Sequence, residues 1–131
     1  MTDRDLINAA IDAARYAYVP YSHFSVGAAI ECTDGTVVTG CNVENATLGC
    51  TICAERTAVV KAVSGGKKSF RRIAVYSPNS ADYCTPCGIC RQVLSEFSPE
   101  MEVLCVRADG RYVSYRLPQL LPAAFSKSSF E

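Results

Sequence analysis

The stretch "CTPCGIC", residues 84 to 90, sets three cysteines at a strict three-residue spacing, and "CTICAE", residues 50 to 55, offers another C-x-x-C pair. Thiolate sulfur is the preferred donor for zinc, and two cysteines three apart on a helix share one face, so Cys87 and Cys90 can grip a single ion. Two chemistries are open. A closed structural site would recruit Cys50 or Cys84 as a fourth ligand. An open site would use Cys53, Cys87 and Cys90, leave the fourth position to water, and place a general acid or base beside it. Glu55, two residues after Cys53, favours the second reading. A group of packed thiols with no metal is the plain alternative.

These residues need elements to hold them. Residues 3 to 18 carry Leu6, Ile7, Ala10, Ile11, Ala14 and Tyr18 at helical spacing, and the run stops at Pro20. "FSVGAAIEC" and "TVVTGCNVE" flank Asp34-Gly35, which predicts a hairpin over about 24 to 43. A helix is expected over about 53 to 64, closed by Gly65-Gly66, and another over about 87 to 97, ended by Pro99. "RRIAVYS" reads as a buried strand, and "MEVLCVRA" and "RYVSYRL" as two more around Asp109-Gly110. The order α, β, β, α, β, α, β, β predicts an α/β fold. We expect three layers, α-β-α, with a five-stranded mixed sheet in one domain spanning residues 1–131.

Both helices near the cysteines open on T-x-C. Thr51 and Thr85 offer caps, and Pro86 suits a first helical position. Cys53 and Cys87 are thus expected near helix N-termini, where partial positive charge favours thiolate. Residues i and i+2 of a regular helix point about 200° apart, so Cys53 and Glu55 can face one ion only if Cys53 sits at or before the cap.

With 13 basic and 13 acidic residues, the chain has no electrostatic handle on polyphosphate or an anionic bilayer. No nucleic-acid or membrane partner is expected, and a small neutral ligand suits it better. No apolar run nears the roughly 18 residues that span a bilayer, and the N-terminus lacks a charged-then-apolar leader. A cytoplasmic location is expected, where the eight cysteines bind metal, catalyse or pack instead of forming disulfides. Cys32, Cys41 and Cys105 fall in strands and read as buried small hydrophobes, and Cys50 and Cys84 as spare packed thiols. His23, the only histidine, reads as a loop residue.

In order along the chain, "PYSHFSVGAA", "GCNVENA", "CAERTA", "PCGICRQV" and "LLPAAF" cover about Ala10 to Phe125. In these motifs the sequence resembles the cytidine deaminases, in the small homotetrameric form with a three-cysteine zinc site. The resemblance implies one Zn2+ per subunit on Cys53, Cys87 and Cys90. Glu55 would be the proton shuttle, and a zinc-activated water would attack C4 of cytosine to give uridine and ammonia. It implies a substrate-binding set of Phe24, Asn42, Glu44, Ala54 and Phe125. In that set Asn42 and Glu44 hydrogen-bond the ribose, Phe24 lines the pocket, and Phe125 is lent by a neighbouring subunit.

Three thiolates on one Zn2+ leave a net charge of minus one, which opposes acidifying a bound water. Arg56, with Arg91, is expected to offset it by donating hydrogen bonds to ligand sulfurs. Leu48 stands where relatives commonly carry a tyrosine, which puts one contact across the subunit boundary in doubt. Free cytidine and deoxycytidine are the expected substrates. A polynucleotide editor and an antibiotic-nucleoside deaminase are disfavoured by the neutral charge and by Asn42 and Glu44. A four-cysteine zinc module used for binding is the reading from outside enzymology.

Overall fold

The computed structural model describes residues 1–131. The first helix, α1, spans Asp3–Ala13 and starts with a reciprocal cap. The Asp5 amide donates to Thr2 Oγ1 at 3.1 Å, and the Thr2 amide donates to the Asp5 carboxylate at 3.0 Å. Its periodicity suggested a helix to residue 18, but the chain tightens into a 3-10 turn at Ala14–Tyr16. Val19 precedes Pro20 and resists the helical region. Tyr18 instead donates its amide to the Asn42 carbonyl at 3.0 Å and bridges to Val43.

The expected hairpin forms as β1 (Gly27–Cys32) and β2 (Val37–Cys41), with Gly35 at φ 90 in the turn. Residues 24 to 26 lie outside it. Helix α2 (Ala54–Ser64) follows, then β3 (Phe70–Tyr76), α3 (Gly88–Phe97), β4 (Glu102–Val106) and β5 (Tyr112–Arg116). Strand order is β2-β1-β3-β4-β5. Only β3 and β4 pair parallel, because α3 carries the chain back between them; the other pairs are antiparallel. A short helix not foreseen from the sequence, α4 (Leu117–Leu120), closes the end of β5. No helix is long and apolar enough to cross a membrane.

Strand alternation divides the core into two apolar layers. Ala28, Ile30, Ile73, Val75, Val103 and Cys105 face α2 and α3, whereas Ala29, Ala74, Leu104 and Val106 face α1. Leu6 and Ile7 of α1 are completely buried in the second layer, each contributing about 1.5–3 kcal/mol of burial. The α-β-α arrangement with a five-stranded mixed sheet is the one the element order implied.

Two glycines set how closely helices approach. A Cβ at Gly40 would stand 2.5 Å from the Ala58 amide nitrogen and 2.7 Å from the Ala54 carbonyl oxygen, so α2 lies with its backbone against β2. A Cβ at Gly27 would stand 2.1 Å from the Ala10 carbonyl oxygen, so α1 presses on β1 equally closely. On the α1 side Arg72 reaches Glu31 at 2.7 Å, the Asp3 carboxylate and the Met1 carbonyl, pinning the start of α1 to the sheet.

Candidate active site

The N-termini of α2 and α3 converge. Cys53 is the N-cap of α2, with extended dihedrals φ -69 and ψ 155, and Cys87 is the N-cap of α3, with φ -66 and ψ 167. Thr51 and Thr85 therefore do not cap, and Pro86 precedes the cap instead of opening the helix. Each cysteine takes the cap position itself and makes no side-chain cap bond, which leaves its sulfur free. The dihedral break after Cys53 removes the opposition between i and i+2, and Glu55 lies in the first turn of α2.

The sulfurs of Cys53, Cys87 and Cys90 all lie within 4.8 Å of one another. Cys53 and Cys87 are 3.8 Å apart at Sγ, Cys87 and Cys90 3.4 Å. Tetrahedral zinc with Zn–S near 2.3 Å places its sulfurs about 3.8 Å apart, so the donor set and spacing fit that ion. Cys50 and Cys84 do not join the cluster, and no fourth cysteine closes it. Cys84 is buried, as a spare packed thiol would be, whereas Cys50 is exposed on a 3-10 turn at Leu48–Cys50 and is not packed. Burial pushes the Cys84 thiol up to about 12.

Within the cluster the Cys53 thiol is pulled down to about 5 by its hydrogen bond with Cys90, assisted by Arg56 and Cys87 against the cost of burial. Cys90 is pushed up, chiefly because its proton is held against the Cys53 sulfur. Arg56 Nη2 donates to Cys53 Sγ at 3.5 Å and to the Thr51 carbonyl at 3.4 Å. Arg91 behaves otherwise than expected. It donates to the Pro86 carbonyl at 2.7 Å and the Leu120 carbonyl at 2.8 Å, bracing the turn before Cys87 against α4, and forms no bond to a ligand sulfur.

Glu55 is 4% exposed. Burial lifts its carboxyl to about 7, with the charge on Cys53 adding to the rise. A carboxyl poised there takes up and gives back a proton near neutral pH. Above it opens a cavity of ≈ 170 Å³ lined by Phe24, Val26, Asn42, Thr51, Cys53, Ala54, Glu55, Val75, Cys84, Thr85 and Cys87. Six of the residues singled out from the sequence thus share one lining. Val26, Thr51, Val75, Cys84 and Thr85 complete the lining without a pocket role legible in the motifs. The position of Thr51 and Thr85 beside the clustered cysteines was the one signal for two of them.

Asn42 is partly committed to the scaffold. Its Oδ1 accepts from the Val26 amide at 2.9 Å and its Nδ2 donates to the Phe24 carbonyl at 2.8 Å, leaving one N–H and one lone pair. Glu44 is outside the lining, with Oε1 accepting from the Tyr21 and Ser22 amides at 3.0 and 3.1 Å. Hydrogen bonding with Ser22 holds its carboxyl below the ordinary range. Phe125 is also outside the lining, 61% exposed, with its ring edge-on to Phe130 at 5.4 Å. His23 is an exposed loop residue at φ 58, and Leu48 is 70% exposed.

The family model described as "Cytidine and deoxycytidylate deaminase zinc-binding region" matches residues 1–106. A probable cytidine deaminase of Dictyostelium discoideum is 49% identical over 121 residues, covering 92% of this chain and 82% of the relative. A blasticidin-S deaminase of Bacillus cereus is 31% identical over 133 residues, covering 96% of this chain and 94% of that protein. Among solved structures, the cytidine deaminase of Burkholderia pseudomallei superposes with a TM-score of 0.92 at 44% identity, covering 95% of this chain and 100% of that one. Two helix N-termini that gather three thiols beside a buried glutamate, together with these matches, establish that the chain belongs to the cytidine and deoxycytidylate deaminase zinc-binding family.

Proposed function

We propose that this chain is a zinc-dependent cytidine deaminase, a hydrolase converting cytidine and deoxycytidine to uridine and deoxyuridine with release of ammonia. The observation that carries the reading is Glu55, buried at the floor of the cavity beside three convergent cysteine sulfurs. Cys53, Cys87 and Cys90 would hold the zinc, which supplies Lewis-acid activation of the attacking water.

The chain's own residues then manage protons and position. Glu55 takes the proton that water gives up as its oxygen bonds to C4 and delivers it to N3 of the base; it then takes the second proton from the new C4 hydroxyl and passes it to the amine as the C4–N4 bond breaks. Water and cytidine become uridine and ammonia, and the carboxyl is returned to its starting state. Arg56 holds negative charge on Cys53 in place through its 3.5 Å hydrogen bond. Arg91 steadies the turn that presents Cys87. Phe24 and Ala54 border the base, and Asn42 hydrogen-bonds the ribose through its remaining N–H, while Glu44, whose Oε1 is taken by the Tyr21 and Ser22 amides, reaches it through Oε2. Phe125, exposed and away from its own cavity, reaches the site of a neighbouring subunit in a homotetramer. Residues 1–131 form one catalytic domain that works in the cytoplasm.

The test is ammonia release from cytidine with and without a zinc chelator, with blasticidin S as the competing substrate. Release from cytidine that chelation abolishes and added zinc restores is expected. Metal-loaded protein that leaves cytidine intact, or prefers blasticidin S, overturns the assignment.

A further inference from the structure

The pocket wall that carries Phe24 and Val26 belongs to no strand; β1 begins only at Gly27. With exposed Phe24 and half-buried Ser25 and Val26 outside any strand ladder, the peptide groups of this segment find other partners, most of them side chains. The Phe24 amide donates to Ser22 Oγ at 3.0 Å, and the Phe24 carbonyl accepts from Asn42 Nδ2 at 2.8 Å. The Val26 amide donates to Asn42 Oδ1 at 2.9 Å, and the Val26 carbonyl accepts from the Asn42 amide at 3.2 Å. Between them the Ser25 amide donates to Asn79 Oδ1 at 2.9 Å, across 54 residues of sequence.

Asn79 is itself held in place. It sits in the turn after β3, where its amide donates to Ser77 Oγ at 3.1 Å and the Ser80 amide to the Ser77 carbonyl at 3.3 Å. Ser77 is fully buried. The Asn79 side chain thus projects from an anchored turn onto the middle of the Phe24–Val26 segment. Asn42 alone leaves the Ser25 peptide ungripped, and His23, at φ 58, places a left-handed residue just ahead of the segment. Asn79 is outside the cavity lining and outside the sulfur cluster.

We infer that Asn79 is a positioning residue of the nucleoside pocket. Acting through the Ser25 amide, it fixes the wall presented by Phe24 and Val26 and so tunes substrate affinity without entering the chemical step. The inference rests on assigning this cavity to the nucleoside. Only the acceptor oxygen is used, so Asp can replace Asn at this position and Ala cannot.

The experiment compares the zinc-loaded parent, Asn79→Ala and Asn79→Asp on cytidine. Losing one such hydrogen bond is expected to raise KM about two- to tenfold in Asn79→Ala. Its kcat, zinc content and melting temperature should stay at parent values. Asn79→Asp should return KM to within about twofold of the parent. An unchanged KM in Asn79→Ala, a joint fall of kcat and melting temperature, or an Asp variant no better than Ala overturns the inference while parent turnover leaves the enzyme assignment standing. A parent inactive on cytidine overturns both.

Discussion

At the scale of single residues, Glu55 and Arg56 carry the two most direct consequences. Glu55→Gln keeps the shape of the side chain and its burial but cannot cycle a proton. Zinc content should be retained while kcat falls about a hundred- to ten-thousand-fold, read by ammonia release alongside metal analysis. Arg56 donates to Cys53 Sγ, whereas Lys61 in the same helix donates to the Thr39 carbonyl at 3.1 Å and makes no bond to a clustered sulfur. Arg56→Ala is therefore expected to lower activity or zinc affinity about ten- to a hundredfold, and Lys61→Ala to leave both near parent values. Equal activities in the two variants would remove Arg56 from the site. Residue identity made this pair legible, because "CAER" places both chemical groups beside a ligand. It misled for Arg91, whose guanidinium is taken by two backbone carbonyls that no local pattern reveals.

At the scale of elements, the site depends on how closely α2 approaches β2. The first turn of α2 carries Glu55, and the Ala54 carbonyl oxygen lies only 2.7 Å from where a Cβ on Gly40 would stand. Gly40→Ala should push that turn outward, costing about 1–3 kcal/mol in denaturant unfolding and lowering zinc occupancy and kcat together. Gly49→Ala, whose Cβ would meet nothing within 4 Å, is the matched control and should be near neutral. Helices and strands were largely readable from period and turn residues, and their ends were less so. Helix α1 stops at Ala13 because the chain before Pro20 turns to bridge Val43, a contact set by tertiary pairing. The T-x-C starts suggested threonine caps, yet the cysteines occupy those positions and the threonines face the cavity.

For the molecule as a whole, the N-termini of α2 and α3 bring Cys53, Cys87 and Cys90 into one cluster, so metal binding should be coupled to global stability. Chelating zinc is expected to lower the melting temperature of the parent and of Glu55→Gln alike, whereas Cys53→Ala should show little response. The coupling follows RT ln(1 + [L]/Kd), about 2.7 kcal/mol at a hundredfold excess over Kd. Indifference of the parent to chelation would mean that the three sulfurs do not hold the ion. Sequence by itself determined the element order, the alternating faces that force helices onto both sides of the sheet, and the three cysteines with their glutamate, because period and side-chain chemistry are local properties. Tertiary structure decided what the two remaining thiols of those motifs do, leaving Cys50 exposed and Cys84 as pocket wall, because that depends on where two helix N-termini converge over the sheet. It also decided that the wall around Phe24 is held by Asn42 and Asn79, since a hydrogen bond spanning 54 residues exists only once β1 and β3 have paired.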